Sequence, residues 1–312
     1  MKKLCLLKFS ALGDLAQLEP FLPSLAQKYT LTLFTSPLGY EYYKTSPHIA
    51  DFIILKSKKL KHLLTTIPQY WNRFDYFVDM QGNDRSKFLS FFALATKVSN
   101  YRKDFHIAPL SDAQKQYLSE NSVYHVDVYS ILAQLNISFE FEPFQIKEKK
   151  YIVLNCGSSP KWKSKRLPLQ KWQEIAQLLY TKFHLPFIFT GEKAECDYIE
   201  TIANSIMYPH EIRVGKTTIL ELKELLANAF LTVSTDSASL HISSVQKTPS
   251  IGIFGPTSWI YAKSFGPWSQ AVYDHEFYQE GIPPIKNRQE IEAYFNTIDI
   301  APALEKLEPY LR

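Results

Sequence analysis

The sequence predicts an α/β fold made of two doubly wound parallel sheets. Three observations predict it. Short apolar runs alternate with segments of helical periodicity, the pattern in which strands pair in parallel and helices make the crossovers. The pattern starts near Lys3 and starts afresh at Tyr151. The 312 residues are enough for two domains of ordinary size, each able to bury its own core.

In the first half, residues 3–9 are an apolar run and read as a buried strand. A glycine-bearing loop, 10–14, leads into a periodic stretch, 15–25, read as a helix. Strands are expected at 30–35, 52–55 and 76–79, and helices at 60–73, 86–95 and 124–135. Residues 140–150 are polar and lysine-rich without helical periodicity, and read as a linker. The second half opens on the strand 151–155. Helices follow at 169–183, 197–207, 220–229 and 237–245, with strands at 187–190, 231–234 and 250–254. One or two further helices are expected within 289–307. The domains are placed at 1–148 and 149–312, with the last helix a candidate to pack back on the first.

Composition narrows the function classes. The chain is 46% hydrophobic and 21% charged, as globular proteins are. Its cysteines, Cys5, Cys156 and Cys196, form no CxxC pair and suggest no disulfide framework, so a reducing cytoplasm is the default. Cys5 and Cys156 sit in apolar runs and read as buried small hydrophobes. No secretory signal is evident, and no stretch approaches the roughly 18 apolar residues of a membrane span. The net charge of +4 fits either a solvated surface or contact with an anionic partner such as a membrane. There is no Cys/His metal cluster, no GxSxG elbow and no P-loop, so no metal is expected.

Ligands of doubly wound sheets sit outside the carboxyl ends of the strands, and the polar loops of this chain fall there. Two such sheets facing each other would share one cleft. In Ser10-Ala11-Leu12-Gly13-Asp14, Gly13 permits a tight turn and Asp14 stands at a helix start. Asp14 there suits a general base for an acceptor hydroxyl, or a helix cap. Asp79-Met80-Gln81-Gly82-Asn83-Asp84-Arg85 ends another strand of this half and could face an acceptor, or be a capped loop.

In the second half, Lys161, Lys163, Lys165 and Arg166 put four cations within six residues, between a strand and a helix. They suit a diphosphate clamp or a solvated basic loop. In Thr190-Gly191-Glu192-Lys193-Ala194-Glu195 a carboxylate could hold a ribose, with a solvated turn as the plain alternative. Thr235-Asp236-Ser237-Ala238-Ser239 offers helix amides and small side chains for a phosphate. Asp236 would accept from sugar hydroxyls or cap the helix, and His241, one turn in, is as readily a packing residue. Gly255-Pro256 closes a further strand as a turn.

Taken together and in order, these segments resemble the heptosyltransferase family of inverting glycosyltransferases, glycosyltransferase family 9, which build the inner core of lipopolysaccharide. The segments concerned are the loop 10–14, Asp79-Met80-Gln81-Gly82 with Arg85-Ser86, Lys165-Arg166-Leu167-Pro168, Asp236-Ser237-Ala238-Ser239-Leu240-His241 and Phe254-Gly255-Pro256-Thr257. Leu167 and Ala238 stand where the family pattern has Trp and Gly. The resemblance implies the GT-B fold, with an acceptor domain followed by a nucleotide-sugar domain. It implies Asp14 as catalytic base, and Ser10, Gly13, Gln81 and Arg85 toward the acceptor. Lys165, Glu192, Glu195, Thr235, Asp236, Ser237, Ala238 and His241 would serve the donor. It further implies ADP-heptose as co-substrate, no metal or other cofactor, a lipopolysaccharide-type acceptor, no nucleic acid, and a cytoplasmic location with peripheral contact at the inner membrane. A sugar-nucleotide epimerase or hydrolase, or a non-catalytic binding member, remains as alternative.

Overall fold

The computed structural model describes residues 1–99, 131–132, 134–137, 139, 142–278 and 291–312. These fall into two compact units, one ending before residue 142 and one running from Glu142 to the C-terminus.

The first unit is a five-stranded sheet, β1 (Lys2–Leu7), β2 (Tyr29–Thr35), β3 (Asp51–Ile54), β4 (Tyr76–Asp79) and β5 (Thr96–Ser99). The order is β3-β2-β1-β4-β5, with every pairing parallel. Leu4 to Leu7 are all buried, as a central strand covered on both faces requires, whereas edge strand β3 is partly exposed. The helices are α1 (Leu12–Ala16), α2 (Leu22–Ala26), α3 (Pro37–Tyr43), α4 (Leu60–Thr66) and α5 (Asp84–Phe91).

The periodic stretch 15–25 is not one helix. Pro20 and Pro23 each lack the N–H that a continuous ladder needs, so the chain makes α1, a 3-10 turn and α2 instead. Pro68 likewise ends the stretch from residue 60 in a 3-10 turn. Helix α5 stops at Phe91, and Leu94 takes a left-handed backbone (φ 50°) before β5, a strand that periodicity did not reveal. Helix α3 was also missed, although Ser36 caps it by accepting from the Gly39 N–H and Pro37 opens it. Most of the expected helix 124–135 lies outside the described residues; Ile131 and Leu132 are helical and buried.

The second unit is a six-stranded parallel sheet, β6 (Ile152–Asn155), β7 (Phe187–Phe189), β8 (His210–Ile212), β9 (Leu231–Thr235), β10 (Ser250–Phe254) and β11 (Ser269–Tyr273). Its order is β11-β10-β9-β6-β7-β8. Helices α6 (Leu169–Phe183), α7 (Cys196–Asn204), α8 (Ile219–Ala227), α9 (Ala238–Val245), α10 (Trp259–Ala262) and α11 (Ala301–Lys306) complete it. In α6, Trp172, Ile175, Ala176 and Leu179 are buried at helical spacing, and His184 ends the helix left-handed at φ 54°. Edge strands β8 and β11 were not expected, being short or polar.

Residues 142–147 pack on this second unit. Phe144 lies against Trp268 and Tyr310, Lys147 donates to the Gln246 carbonyl, and Lys247 pairs with Glu142 at 2.6 Å. The last helix, α11, packs within the second unit. Leu304, Leu307 and Leu311 belong to the same core as Trp172 and Ile253. Residues 279–290, which include the start of the expected 289–307 helices, lie outside the described residues. Cys5 and Cys156 are buried, and burial pushes both thiols up. No helix among the described residues is long and apolar enough to cross a membrane.

Candidate active-site loops of each unit

Both sheets reverse direction of winding once. In the first unit the reversal lies between β1 and β4, in the second between β6 and β9. At such a switch point adjacent loops leave in opposite directions and open a crevice. Most of the predicted site residues lie at these two places, whereas Glu192 and Glu195 follow β7.

In the first unit, the loop after β1 is anchored by backbone recognition. Gln81 accepts from the N–H groups of Phe9 and Ser10 at 2.9 and 3.0 Å. Thr35 Oγ1 donates to the Lys8 carbonyl and Ser36 Oγ to that of Phe9. The loop after β4 is folded by buried Asp79, whose Oδ1 accepts from Gln81 N–H and Gly82 N–H. Gly82 supplies the left-handed turn (φ 61°). Gly13 does not make the tight turn expected of it; it lies buried inside α1. Asp14 is not the cap of α1 either. That position belongs to Ala11, and Asp14, in the first turn, reaches back to accept the Ala11 N–H at 3.1 Å.

The Asp14 carboxylate also pairs with Lys8 Nζ at 3.3 Å. Lys8 is 2% exposed and donates to the Met80 carbonyl. Sequence reasoning missed Lys8; its only signal is a cation ending an apolar strand run. Gln81 therefore acts as a brace of the loop. Arg85 is exposed, and its backbone N–H is capped by Asn83.

In the second unit, Lys165 Nζ meets Asp236 Oδ2 at 2.7 Å and the Asp236 carbonyl at 3.2 Å. The same ammonium lies 5.3 Å from the Trp162 ring centre. His241 Nε2 is 3.9 Å from Asp236 Oδ1, and Ser264 lies 3.3 Å from the other ring nitrogen. Burial by itself raises the Asp236 carboxyl, but Lys165, then His241, outweigh it and hold the group below its ordinary 3.8. Thr257 lies close enough to add to that lowering, although its buried Oγ1 makes no hydrogen bond of normal geometry. Asp236 precedes the helix rather than capping it; Ser237 holds the cap position of α9.

The Ser237 hydroxyl does not cap the helix. It meets Ser234 Oγ at 2.9 Å and Asn155 Oδ1 at 3.4 Å. Asn155, buried at the end of β6, in turn donates to Thr190 and Ser239. Asn155 was missed as a site residue, the signal being a polar residue closing an apolar strand. Thr235 Oγ1 donates to the Gly157 carbonyl, tying the ends of β9 and β6 together. Because Ser237 does not cap it with its side chain, α9 presents N–H groups and the positive end of its dipole at Ala238.

The basic loop divides. Lys161 and Lys163 carry the exposed charge, while Arg166 stacks 4.5 Å over Tyr198 and donates to the Ser158 carbonyl. Leu167 is buried in the core, so it packs where the family pattern has Trp. The two glutamates divide likewise. Glu192 is exposed, whereas Glu195 is buried, accepts the Glu192 N–H at 2.7 Å and lies under Gly157 and Gly191. Burial pushes the Glu195 carboxyl up. Gly255 is where a Cβ would come within 2.3 Å of the Phe295 ring, so the Gly-Pro turn is a packing contact beside the site. A groove of about 510 Å³ lined by Tyr151, Arg213 and Asn228 contains none of these residues.

Two wound sheets with polar loops at each switch point define an α/β protein of the GT-B class. Solved structures agree on this fold. A family 9 glycosyl transferase from Veillonella parvula is similar at TM-score 0.72 over 99% of this chain and 97% of that one, at 16% identity. E. coli heptosyltransferase WaaC with ADP-2-deoxy-2-fluoro heptose is similar at TM-score 0.65, covering 86% and 92%, also at 16% identity. The chain belongs to glycosyltransferase family 9 (heptosyltransferase), whose model matches residues 125–290, more than half of it. Among curated relatives, lipooligosaccharide heptosyltransferase 2 of Campylobacter jejuni is 26% identical over 272 residues, 82% of each chain. The Haemophilus influenzae protein of the same name is 30% identical over 168 residues, 51% of this chain and 47% of that one.

Proposed function

We propose that this glycosyltransferase moves heptose from ADP-heptose to a lipopolysaccharide core acceptor, with inversion at the anomeric carbon. The donor falls to the second half (149–312) and the acceptor to the first (1–148). In this reading Asp14 takes the proton of an acceptor hydroxyl. That oxygen attacks the anomeric carbon as the bond to the diphosphate breaks, and ADP departs. The Lys165 ammonium has three protons, two of them directed at Asp236, which leaves one for a phosphate oxygen. The amides of Ser237 and Ala238 add positive potential to the departing diphosphate. Asp236, held ionised, accepts from donor hydroxyls, and Glu195 suits the ribose. No step calls for a metal, and the enzyme works at the cytoplasmic side of the inner membrane as a peripheral protein.

The observation that carries this reading is the Lys165–Asp236–His241 cluster at the opening of α9, together with the name of the WaaC neighbour, which was solved with an ADP-heptose analogue. The test mixes purified protein with ADP-heptose and a deacylated core acceptor, with and without a chelator, and follows ADP release. Acceptor-dependent release that persists in chelator and is abolished in Asp14→Asn is expected. Full-rate release without acceptor would point to a hydrolase and overturn the transfer.

A further inference from the structure

The segment 52–74 stands apart in charge. It holds Lys56, Lys58, Lys59, Lys61 and Arg73 and no carboxylate, so the chain's +4 less these five cations is −1. Arg73 pairs with Asp51, but the four lysines are exposed and pair with no carboxylate among the described residues. Lys56, Lys58 and Lys59 precede α4 and Lys61 lies in its first turn. Leu63, Ile67 and Tyr70, at i, i+4 and i+7, are buried in the core of the first unit. Leu60 and Leu64, at i and i+4, share the neighbouring face of α4 and are 63% and 49% exposed, and Trp71, just past the 3-10 turn that ends the helix, is 51% exposed.

The apolar surface continues onto α5. The Trp71 ring lies 6.3 Å from Phe92, and Phe92 lies 5.2 Å from Phe91, which is 68% exposed. Leu94, 57% exposed, follows in the same turn. Exposed apolar residues gathered beside lysines that pair with no carboxylate among the described residues mark a contact surface. Leu, Trp and Phe beside lysines match the boundary of an anionic lipid leaflet, where rings and methyls enter the acyl edge and ammonium groups meet headgroup phosphates.

We propose that the face built from α4, Trp71, Phe91 and Leu94 seats the first unit on an anionic phospholipid surface. This rests on the reading that the acceptor is a glycolipid. A second copy of the chain is disfavoured as occupant, because two-fold pairing through this patch would bring one lysine run against the other.

The test uses the full chain with vesicles of phosphatidylcholine alone or with one third phosphatidylglycerol, read by co-sedimentation. Binding is expected only to the anionic vesicles and falls as salt rises. Lys58→Gln/Lys59→Gln/Lys61→Gln is expected to weaken it about 100-fold, at about fivefold per lysine. Leu64→Ser/Trp71→Ser should abolish it with Tm and ADP-heptose binding unchanged. Brominated lipid should quench a part of the fluorescence that disappears in Trp71→Phe. No binding at low salt, or binding indifferent to both variant sets, overturns the proposal. So does a concentration-dependent dimer that Leu64→Ser/Trp71→Ser dissociates without any effect on lipid binding. Donor binding is measured separately, so loss of the lipid contact and loss of the transferase reading are distinguishable.

Discussion

Lys165 and Asp236 are 71 residues apart in sequence and meet at 2.7 Å, with both side chains at least four-fifths buried. One comes from the loop after β6 and the other from the end of β9, the two strands that flank the switch point. A pair so placed is costly to break from either side, because the remaining charge is left without its partner. Under the proposed donor role it joins stability to donor binding.

Lys165→Ala and Asp236→Ala should each lower stability, and the double variant should lose less than the sum. A double-mutant cycle read by chemical denaturation is expected to give a coupling of about 0.5–3 kcal/mol. Calorimetric titration with ADP should show weaker binding in Lys165→Ala. Additive losses would mean that the pair is a surface contact of no consequence.

The pH response follows from two carboxyls shifted in opposite directions. Asp236 is held below 3.8, chiefly against burial by Lys165, so its contribution is present above that value and is lost as pH falls through its lowered folded value. The Tm advantage of the native chain over Asp236→Asn should be constant near neutrality and shrink in acid. Glu195 is raised above its ordinary 4.5 by burial, so its ionisation opposes folding as pH climbs past that value. Relative to the native chain, Glu195→Gln should gain Tm between acid and neutral pH. Parallel Tm curves in either comparison would contradict the assignment.

Gly255→Ala places a methyl 2.3 Å from the Phe295 ring, inside the second core. The Phe295 ring is buried, and overpacking of a core costs about 1–3 kcal/mol. A lower Tm is expected, with weaker ADP binding because the same turn carries Thr257 beside Asp236. An unchanged Tm would show that the turn shifts freely.

Two contacts of Asp14 differ in burial, those with Lys8 and with the Ala11 N–H. Asp14→Ala removes both contacts and takes a carboxylate away from a buried ammonium, so Tm should fall. Asp14→Asn keeps an oxygen for Ala11 and should hold Tm closer to the native chain while losing at least about 100-fold in turnover, as removal of a general base does. Lys8→Met should reduce turnover with ADP binding unaffected. If Asp14→Asn retains turnover, Asp14 positions the loop and does not take the proton.

Much of this was legible from sequence because it rests on local chemistry. The central strands announced themselves as apolar runs, since a strand buried on both faces must be apolar throughout; β4 and β10 fall on their expected boundaries. Edge strands β8 and β11 escaped because a half-exposed strand carries no such run. The two long helices of the first half were overextended because hydrophobic periodicity ignores Pro20, Pro23 and Pro68. Among the candidate site residues, Asp14, Lys165, Asp236 and Glu195 stood out as charged residues in the segments that follow strands.

The sequence alone determined the two-sheet α/β class, the loops at the strand ends and the family they resemble, because periodicity and motif are properties of neighbouring residues. Tertiary structure alone decided which charges are joined. Lys165 to Asp236 and Asn155 to Ser239 are set by strand order, and Lys8 to Asp14 by the folding of the loop after β1. Parallel winding brings loops dozens of residues apart to one strand end, and burial there makes their charges and hydrogen bonds depend on one another.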